Sequence, residues 1–169
     1  MDHDRLRGAL GEAAARIGKL LRDRNQSISI GEGSCGGLLS AALVAVPGAS
    51  EFFVAGTVLY TRQGFAEILG ERRHELRGLR GASEEFSLAI ARITREKFAS
   101  TWAIGESGAT GPSGNRYGDA AGHAALAVAG PVEKARTLET GIDDRPENMW
   151  RFAAAALELF EEALAEDGA

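Results

Sequence analysis

The spacing of apolar residues predicts helices that alternate with strands. Leu6, Leu10, Ala14, Ile17 and Leu21 recur at three- and four-residue intervals, which predicts an amphipathic helix over about residues 4–24. Further helices are predicted over residues 38–46, 62–69, 83–98 and 145–165. Strands are predicted over residues 27–30, 53–60, 101–104, 124–129 and 134–140. This order, with one hairpin at Gly130-Pro131, predicts an α/β fold in which a mixed sheet lies between two helical layers.

The length predicts a single domain. The chain has 169 residues, close to a typical domain length of about 150, and no stretch has the composition of a long linker. We therefore expect residues 1–169 to form one compact unit.

Glycine is concentrated in two windows. The chain has 22 glycines, nearly twice the usual share of about 7%. Ten of them lie in two stretches that follow predicted strands: Gly31, Gly33, Gly36 and Gly37 in the first, and Gly105, Gly108, Gly111, Gly114, Gly118 and Gly122 in the second. Such loops occur where the backbone approaches a ligand closely or takes a positive φ. The pattern predicts two loops that face one ligand site.

Charge and composition narrow the classes of partner. A net charge of -5 gives no overall attraction for nucleic acid, so none is expected as a partner. Four arginines, Arg72, Arg73, Arg77 and Arg80, form a local basic stretch, but glutamates interrupt it. This pattern favours a solvated helix face over a phosphate-binding strip.

The chain lacks the usual signals for membranes, disulfides and metals. No uncharged stretch approaches the roughly 20 residues of a membrane span, and no apolar signal region follows the N-terminus, so no membrane partner and a cytoplasmic location are expected. The single cysteine, Cys35, cannot form an internal disulfide or hold a structural zinc by itself. We expect neither a metal nor a cofactor.

The first glycine window contains a dinucleotide-like pattern. Residues 31–36 satisfy G-x-G-x-x-G between a predicted strand and a helix. Glu32, however, would place a carboxylate beside a pyrophosphate, and the second predicted strand does not end in an acidic residue that could hold a ribose. A dinucleotide-binding oxidoreductase is therefore the weaker alternative.

A set of ordered motifs fits a different family. The motifs are Glu32-Gly33-Ser34-Cys35-Gly36-Gly37-Leu38, Val46-Pro47-Gly48-Ala49-Ser50, Tyr60-Thr61, Leu69-Gly70, Ser107-Gly108-Ala109-Thr110-Gly111-Pro112 and Asp144-Arg145. In this order they resemble the CinA C-terminal domain family, which includes competence/damage-inducible proteins and nicotinamide mononucleotide amidases. The resemblance covers about residues 10–165. It implies the CinA C-terminal fold, a small nucleotide-like ligand and a homo-oligomer.

The sequence departs from this family where the chemistry is expected. The family motif reads Glu-Ser-x-Thr-Gly-Gly, and an ungapped alignment places its serine on Gly33 and its threonine on Cys35. The family's lysine, in the helix after Tyr60-Thr61, falls on Phe65. Glycine and phenylalanine can neither attack a substrate nor move a proton, so the resemblance implies amidase activity that is weak, altered or lost.

Two neighbouring residues offer another nucleophile. Ser34 is one candidate, and Cys35, near a helix N-terminus, is the other, with a lowered thiol pKa expected there. His123 or Glu106 would then serve as the base. The structural alternatives are that Ser34 caps the helix and that Cys35 packs as a small apolar side chain.

The remaining candidates are residues that could bind a ligand. Backbone N–H groups of the first loop are expected to act as donors, together with hydroxyls and one arginine. The candidate ligand-binding residues are Glu32, Gly33, Gly36, Gly37, Tyr60, Thr61, Ser107, Gly108 and Arg145. A non-catalytic binding or assembly module is a third hypothesis, because Phe52-Phe53-Val54 and Trp150 are candidate subunit contacts.

Overall fold

The computed structural model describes residues 3–168, which include one five-stranded sheet in the order β2-β1-β3-β4-β5. The strands are β1 (Ile28–Glu32), β2 (Phe53–Val58), β3 (Trp102–Ala109), β4 (His123–Ala129) and β5 (Lys134–Glu139). The α-helices are α1 (His3–Asp23), α2 (Leu38–Val44), α3 (Arg62–Leu69), α4 (Glu84–Phe98) and α5 (Arg145–Asp167). Two 3-10 helices, Ala49–Glu51 and Gly70–Leu76, complete the set.

The sheet is mixed and lies between two helical layers, as the sequence predicts. Strand β1 is parallel to β2 and β3, whereas β4 is antiparallel to β3 and β5. Helices α1, α2 and α5 pack together on one face, and α4 covers the other. Because β1 and β3 are parallel neighbours, the segments that follow Glu32 and those around Gly108 meet at one edge of the sheet.

Strands β1 and β3 extend further into the glycine windows than predicted. Gly31, Gly105 and Gly108 therefore lie in strands, not in loops. Helix α4 explains two of these glycines: a Cβ added at Gly105 would lie 2.0 Å from the carbonyl oxygen of Ser87, and one at Gly31 would lie 2.6 Å from Thr94 Oγ1. Part of the glycine excess thus serves the packing of a helix against the sheet.

The larger hydrophobic core lies between the sheet and the layer of α1, α2 and α5. Trp102 is fully buried there and meets Phe160 edge-on, with 5.4 Å between ring centroids. Phe52 is buried in the same core, and Trp150 packs against it. The burial of Phe52 corrects its expected role as a subunit contact, whereas Trp150 is only partly buried and Val54 is exposed, so subunit contacts by these two residues remain a prediction.

Asp144 caps the start of α5. The side chain of Asp144 accepts a hydrogen bond of 2.8 Å from the backbone N–H of Glu147, and Pro146 occupies the first turn. Helix α2 is shorter than predicted and ends at Val44, before Pro47.

We expect Gly105→Ala to lower the free energy of unfolding by about 1–3 kcal/mol, because the added methyl group meets the backbone of α4. Gly11→Ala is the matched control. Gly11 lies in α1 with no atom within 4 Å of an added Cβ, so alanine there should raise stability by about 0.5–1 kcal/mol. Urea denaturation measures both changes. Equal stability of Gly105→Ala and wild type would contradict the close packing of α4.

Candidate functional site

A cavity of about 560 Å³ opens at the edge of the sheet where β1 and β3 end. Gly33, Ser34, Ser107 and Gly108 form its inner wall. The other walls come from the start of α3, the 3-10 helix Gly70–Leu76, the start of α4 and the loop at residues 115–117. A smaller cavity of about 170 Å³ adjoins it and shares Ser34, Tyr60, Gly108 and Asn115 with it.

The carboxylate of Glu32 holds the start of α2. It accepts hydrogen bonds from the backbone N–H groups of Gly37, Leu39 and Ser40, at 2.9, 3.2 and 3.0 Å, and from Ser40 Oγ at 2.7 Å. Gly37, the N-cap residue, has a positive φ of 104° and no side chain to cap the helix. Glu32 supplies the cap instead, which corrects the alternative that Ser34 does so.

The carboxylate of Glu106 holds the middle of the same loop. It accepts hydrogen bonds from the N–H groups of Gly33 and Cys35, at 3.0 and 2.9 Å, and from Ser34 Oγ. Burial raises the pKa of Glu106, and the hydrogen bonds from Ser34, Cys35 and Gly33 offset only part of that shift. Two acidic side chains from adjacent strands therefore fix the conformation of residues 33–37.

This arrangement occupies four of the five N–H groups that residues 33–37 were expected to offer to a ligand. Those of Gly33, Cys35 and Gly37 bind the two carboxylates, and that of Gly36 donates to the carbonyl of Gly33 at 3.1 Å. The expectation that these groups cradle a phosphate or an oxyanion is therefore corrected. A dinucleotide would likewise find these donors already bonded.

Ser34 and Cys35 have different environments. Ser34 lines both cavities and its Oγ donates to Glu106, which is the geometry of a nucleophile beside a base. Cys35 is fully buried in the core and lies on neither cavity wall. Burial, together with the charges of Glu106 and Glu32, raises the pKa of its thiol well above the ordinary value, which corrects the lowered pKa expected from the sequence.

Tyr60 and Arg145 meet at the smaller cavity. The guanidinium of Arg145 donates to the hydroxyl of Tyr60 and to the carbonyl of Gly111, the latter at 2.8 Å. Arg145 therefore does not pair with Glu147, which binds Arg151 at 2.6 Å. Two residues that are 85 positions apart in sequence thus lie side by side at the site.

The structure places some of the predicted site residues on the cavity walls and others away from them. The residues on the cavity walls are Gly33, Ser34, Tyr60, Ser107, Gly108 and Arg145. Those that contribute to neither wall are Glu32, Cys35, Gly36, Gly37 and Thr61. Thr61 caps α3 by accepting a hydrogen bond of 3.1 Å from the N–H of Gly64. Ligand binding by the first group remains a prediction.

His123 lies outside both cavities and has acceptors at both ring nitrogens. Nδ1 faces Glu139, and Nε2 lies 2.7 Å from the carbonyl oxygen of Ala82. Burial lowers its pKa, but the hydrogen bonds to Ala82 and Glu139 and the charges of Glu139 and Asp119 outweigh this effect and raise it. An imidazolium that donates from both nitrogens fits these contacts, so His123 is not the base of the site.

Sequence reasoning missed Arg62, Arg73 and Phe86 as parts of the wall of the larger cavity. They line it together with Phe65 and Arg116. Arg73 belongs to the stretch that was interpreted as a solvated face. The sequence contains a weak indication that these arginines are unpaired, because neither Arg62 nor Arg73 has an acidic residue three or four positions away. Arg77 also has none at these positions, so the indication is not specific.

Among residues 3–168, no helix is both long and apolar enough to cross a membrane. No group of three or more His, Cys, Asp and Glu side chains there could hold a metal ion.

The comparisons with known proteins identify the family of the chain. The family model described as the CinA C-terminal domain matches residues 11–164. The chain belongs to the CinA C-terminal domain family. A CinA-like protein from Chloroherpeton thalassium is 35% identical over 153 residues, and one from Desulforapulum autotrophicum is 31% identical over 142 residues. These matches cover 88% and 83% of the chain but only 36% and 34% of the two relatives.

Solved CinA structures share the fold. The competence or damage-inducible protein from Enterobacter asburiae superposes with a TM-score of 0.84 at 27% identity, covering 92% of this chain and 98% of that one. A CinA superfamily protein from Escherichia coli gives a TM-score of 0.83 at 21% identity, covering 90% and 89%. The chain thus has the architecture of this family and spans about a third of the curated relatives' length.

The raised pKa of His123 predicts how stability depends on pH. A histidine with a raised folded-state pKa contributes stability that is complete below its unfolded pKa of about 6.5 and is lost as pH rises through the folded pKa. The stability difference between wild type and His123→Gln should therefore shrink between about pH 6 and about pH 9. Urea denaturation at the two pH values measures it. His74→Gln, at an exposed histidine, is the control. A stability difference between wild type and His123→Gln that stays constant with pH would contradict the raised pKa of His123.

Proposed function

We propose that the chain binds a nicotinamide-nucleotide-like small molecule in the larger cavity and hydrolyses its amide weakly, with altered specificity, or not at all. The observation that carries this proposal is the position of Gly33 and Phe65. Both line the cavity, and both stand where the family resemblance implies a serine and a lysine. Neither side chain can attack a carbonyl carbon or transfer a proton.

The size and chemistry of the cavity suit a mononucleotide. Small-molecule sites commonly enclose roughly 300–1,000 Å³, and this cavity of about 560 Å³ lies within that range. Apolar side chains at one end could contact a ring, while Arg62, Arg73 and Arg116 could pair with a phosphate. These features support ligand binding independently of catalysis.

Family membership supports only part of the proposal, the relation to CinA proteins. The relatives carry the names CinA-like and competence or damage-inducible, and amidase activity enters only through the resemblance. Homo-oligomerisation likewise remains a proposal that rests on the family resemblance, and a cytoplasmic location remains one that rests on the sequence.

An assay of nicotinamide mononucleotide hydrolysis, in which the released ammonia is measured, tests the proposed loss of activity. We expect little or no release by the wild type and a gain in the Gly33→Ser, Phe65→Lys double variant, which restores both family residues. A Cβ at Gly33 would lie 3.1 Å from the carbonyl oxygen of Leu59, so the neighbours must move by only a few tenths of an ångström. Gly11→Ser, on the exposed side of α1, controls for the added hydroxyl.

Two outcomes would contradict this proposal. Rapid ammonia release by the wild type would overturn the loss of activity. Absence of nicotinamide mononucleotide binding in both the wild type and the double variant, measured by calorimetry, would overturn the assignment of the ligand.

The pair formed by Ser34 and Glu106 favours a second candidate, an active amidohydrolase. In that reaction Ser34 Oγ would attack the amide carbon while its proton passes to Glu106. The C–N bond would then break as the proton moves to the leaving ammonia, and water would hydrolyse the ester to the acid. The raised pKa of Glu106 is a property suited to a general base.

Ser34→Ala and Cys35→Ala distinguish this candidate from the first. If the wild type hydrolyses a nucleotide amide, Ser34→Ala should lower the turnover at least about a hundredfold, because it removes the hydroxyl beside Glu106. Cys35→Ala should retain turnover, because the thiol reaches neither cavity wall. Unchanged turnover in Ser34→Ala would exclude Ser34 as the nucleophile.

A further inference from the structure

We infer that the smaller cavity is a subsite for a carboxylate, so that the two cavities together prefer a nucleotide whose ring carries a carboxylate to one whose ring carries a carboxamide. The inference rests on the proposed function, because it takes the larger cavity to hold the nucleotide and its arginines to hold the phosphate. It names the form of the nucleotide that the chain prefers: the acid that amide hydrolysis produces, not the amide.

The smaller cavity has room for one substituent of a ligand. Its volume is about 170 Å³, below the roughly 300–1,000 Å³ that encloses a whole small molecule. It adjoins the larger cavity through Ser34, Tyr60, Gly108 and Asn115, which line both. A ligand held in the larger cavity therefore has space for one of its groups in the smaller cavity, beside Ser34.

Arg145 supplies the positive charge of the smaller cavity. A guanidinium carries five N–H donors, and its two bonds, to Gly111 and Tyr60, leave the other three without an acceptor in the part of the chain that the structure describes. Within that part it also forms no ion pair, whereas Arg151 on the same helix pairs with Glu147. The hydroxyl of Tyr60 accepts from Arg145, so its own proton is available to a ligand.

Three backbone N–H groups add further donors. Ser34, Ser113 and Gly114 all line the smaller cavity and lie outside helices and strands. Their N–H groups have no acceptor among residues 3–168. The two glycine-rich segments thus each contribute unpaired donors to this cavity.

Carbonyl oxygens of the same wall, by contrast, are already hydrogen-bonded. Those of Ala109, Thr110 and Gly111 each accept one hydrogen bond of 2.8 Å, from the N–H of Gly122, the side chain of Asn148 and the guanidinium of Arg145 in turn. The cavity therefore presents a surplus of donors. Such a surplus suits a carboxylate, which only accepts hydrogen bonds, better than a carboxamide, whose NH₂ group needs acceptors.

The charges at the smaller cavity also favour an anion. No carboxylate belongs to its wall as the described residues form it. Glu106 contacts Ser34 from outside the wall, and its charge, which opposes an anion, is already shared among three hydrogen bonds. Asp144, next to Arg145 in sequence, caps α5. A carboxylate accepts two parallel hydrogen bonds from a guanidinium and pairs its charge with it, whereas a carboxamide has one oxygen and no charge.

Nicotinate mononucleotide and nicotinamide mononucleotide are a matched pair of probes. They share the ribose, the phosphate and the pyridinium ring, and they differ only in a carboxylate against a carboxamide. We expect the wild type, titrated by calorimetry, to bind the acid about tenfold more tightly, because only the acid pairs a negative charge with Arg145. Ammonia is measured after each titration, so that the affinity for the amide is taken only where the amide is intact.

Variants of Arg145 test where the carboxylate binds. Arg145→Gln should weaken binding of the acid about tenfold and binding of the amide less than about threefold, because the lost charge pairs only with the acid. Arg145→Lys, which keeps the charge, should restore part of the preference. Arg151→Gln is the matched control, because it removes the same charge from the same helix at a residue that lines neither cavity. Circular dichroism establishes that all three variants are folded.

Arg62→Gln separates pairing with Arg145 from a general attraction of anions. Arg62 lines only the larger cavity, where the proposed function places the phosphate that both nucleotides carry. This variant should therefore weaken binding of both nucleotides by the same factor and leave their affinity ratio unchanged. Loss of the preference for the acid in Arg62→Gln would contradict the placement of the carboxylate beside Arg145.

The outcomes separate this inference from the proposed function. Equal or tighter binding of the amide by the wild type would overturn the inference and leave the proposed function intact. If Arg145→Gln weakened binding of both nucleotides by the same factor, the smaller cavity would not be the carboxylate subsite. Absence of binding by both nucleotides would overturn the inference and the ligand of the proposed function together.

Discussion

The site is organised by two carboxylates that lie inside the protein. Glu32 and Glu106 extend from the adjacent parallel strands β1 and β3, and between them they accept seven hydrogen bonds from residues 33–40. A hydrogen bond to a charged group contributes about 1.5–3 kcal/mol, and a buried carboxylate without partners would be strongly destabilising. The loop, the start of α2 and the position of Ser34 all depend on these contacts.

This constraint changes what the glycine loop can do. A glycine-rich turn between a strand and a helix is usually a place where backbone N–H groups meet an anion. Here the anions are the protein's own side chains. The wall of the cavity beside the loop carries three arginines together with Phe65 and Phe86.

The glycines themselves have several causes. Gly37 takes a left-handed conformation at the start of α2, which a residue with a Cβ adopts at a cost. Gly31 and Gly105 pair side by side in the sheet and allow α4 to approach it. Gly33 lines the larger cavity. A single compositional excess thus reflects turn geometry, helix packing and the shape of a site.

Periodicity and ordered motifs determined the elements, the mixed α/β sheet and the family, because these depend on local spacing and on short segments. The resemblance also predicted that Gly33 and Phe65 stand at the family's functional positions, and both line the larger cavity. The tertiary structure alone decided which polar groups were already paired: Glu106 with the loop 73 residues before it, His123 with Ala82 and Glu139, and Arg73 with no partner among the described residues. Such pairings depend on strand register and helix packing, and these set pKa values and available donors through contacts between distant residues.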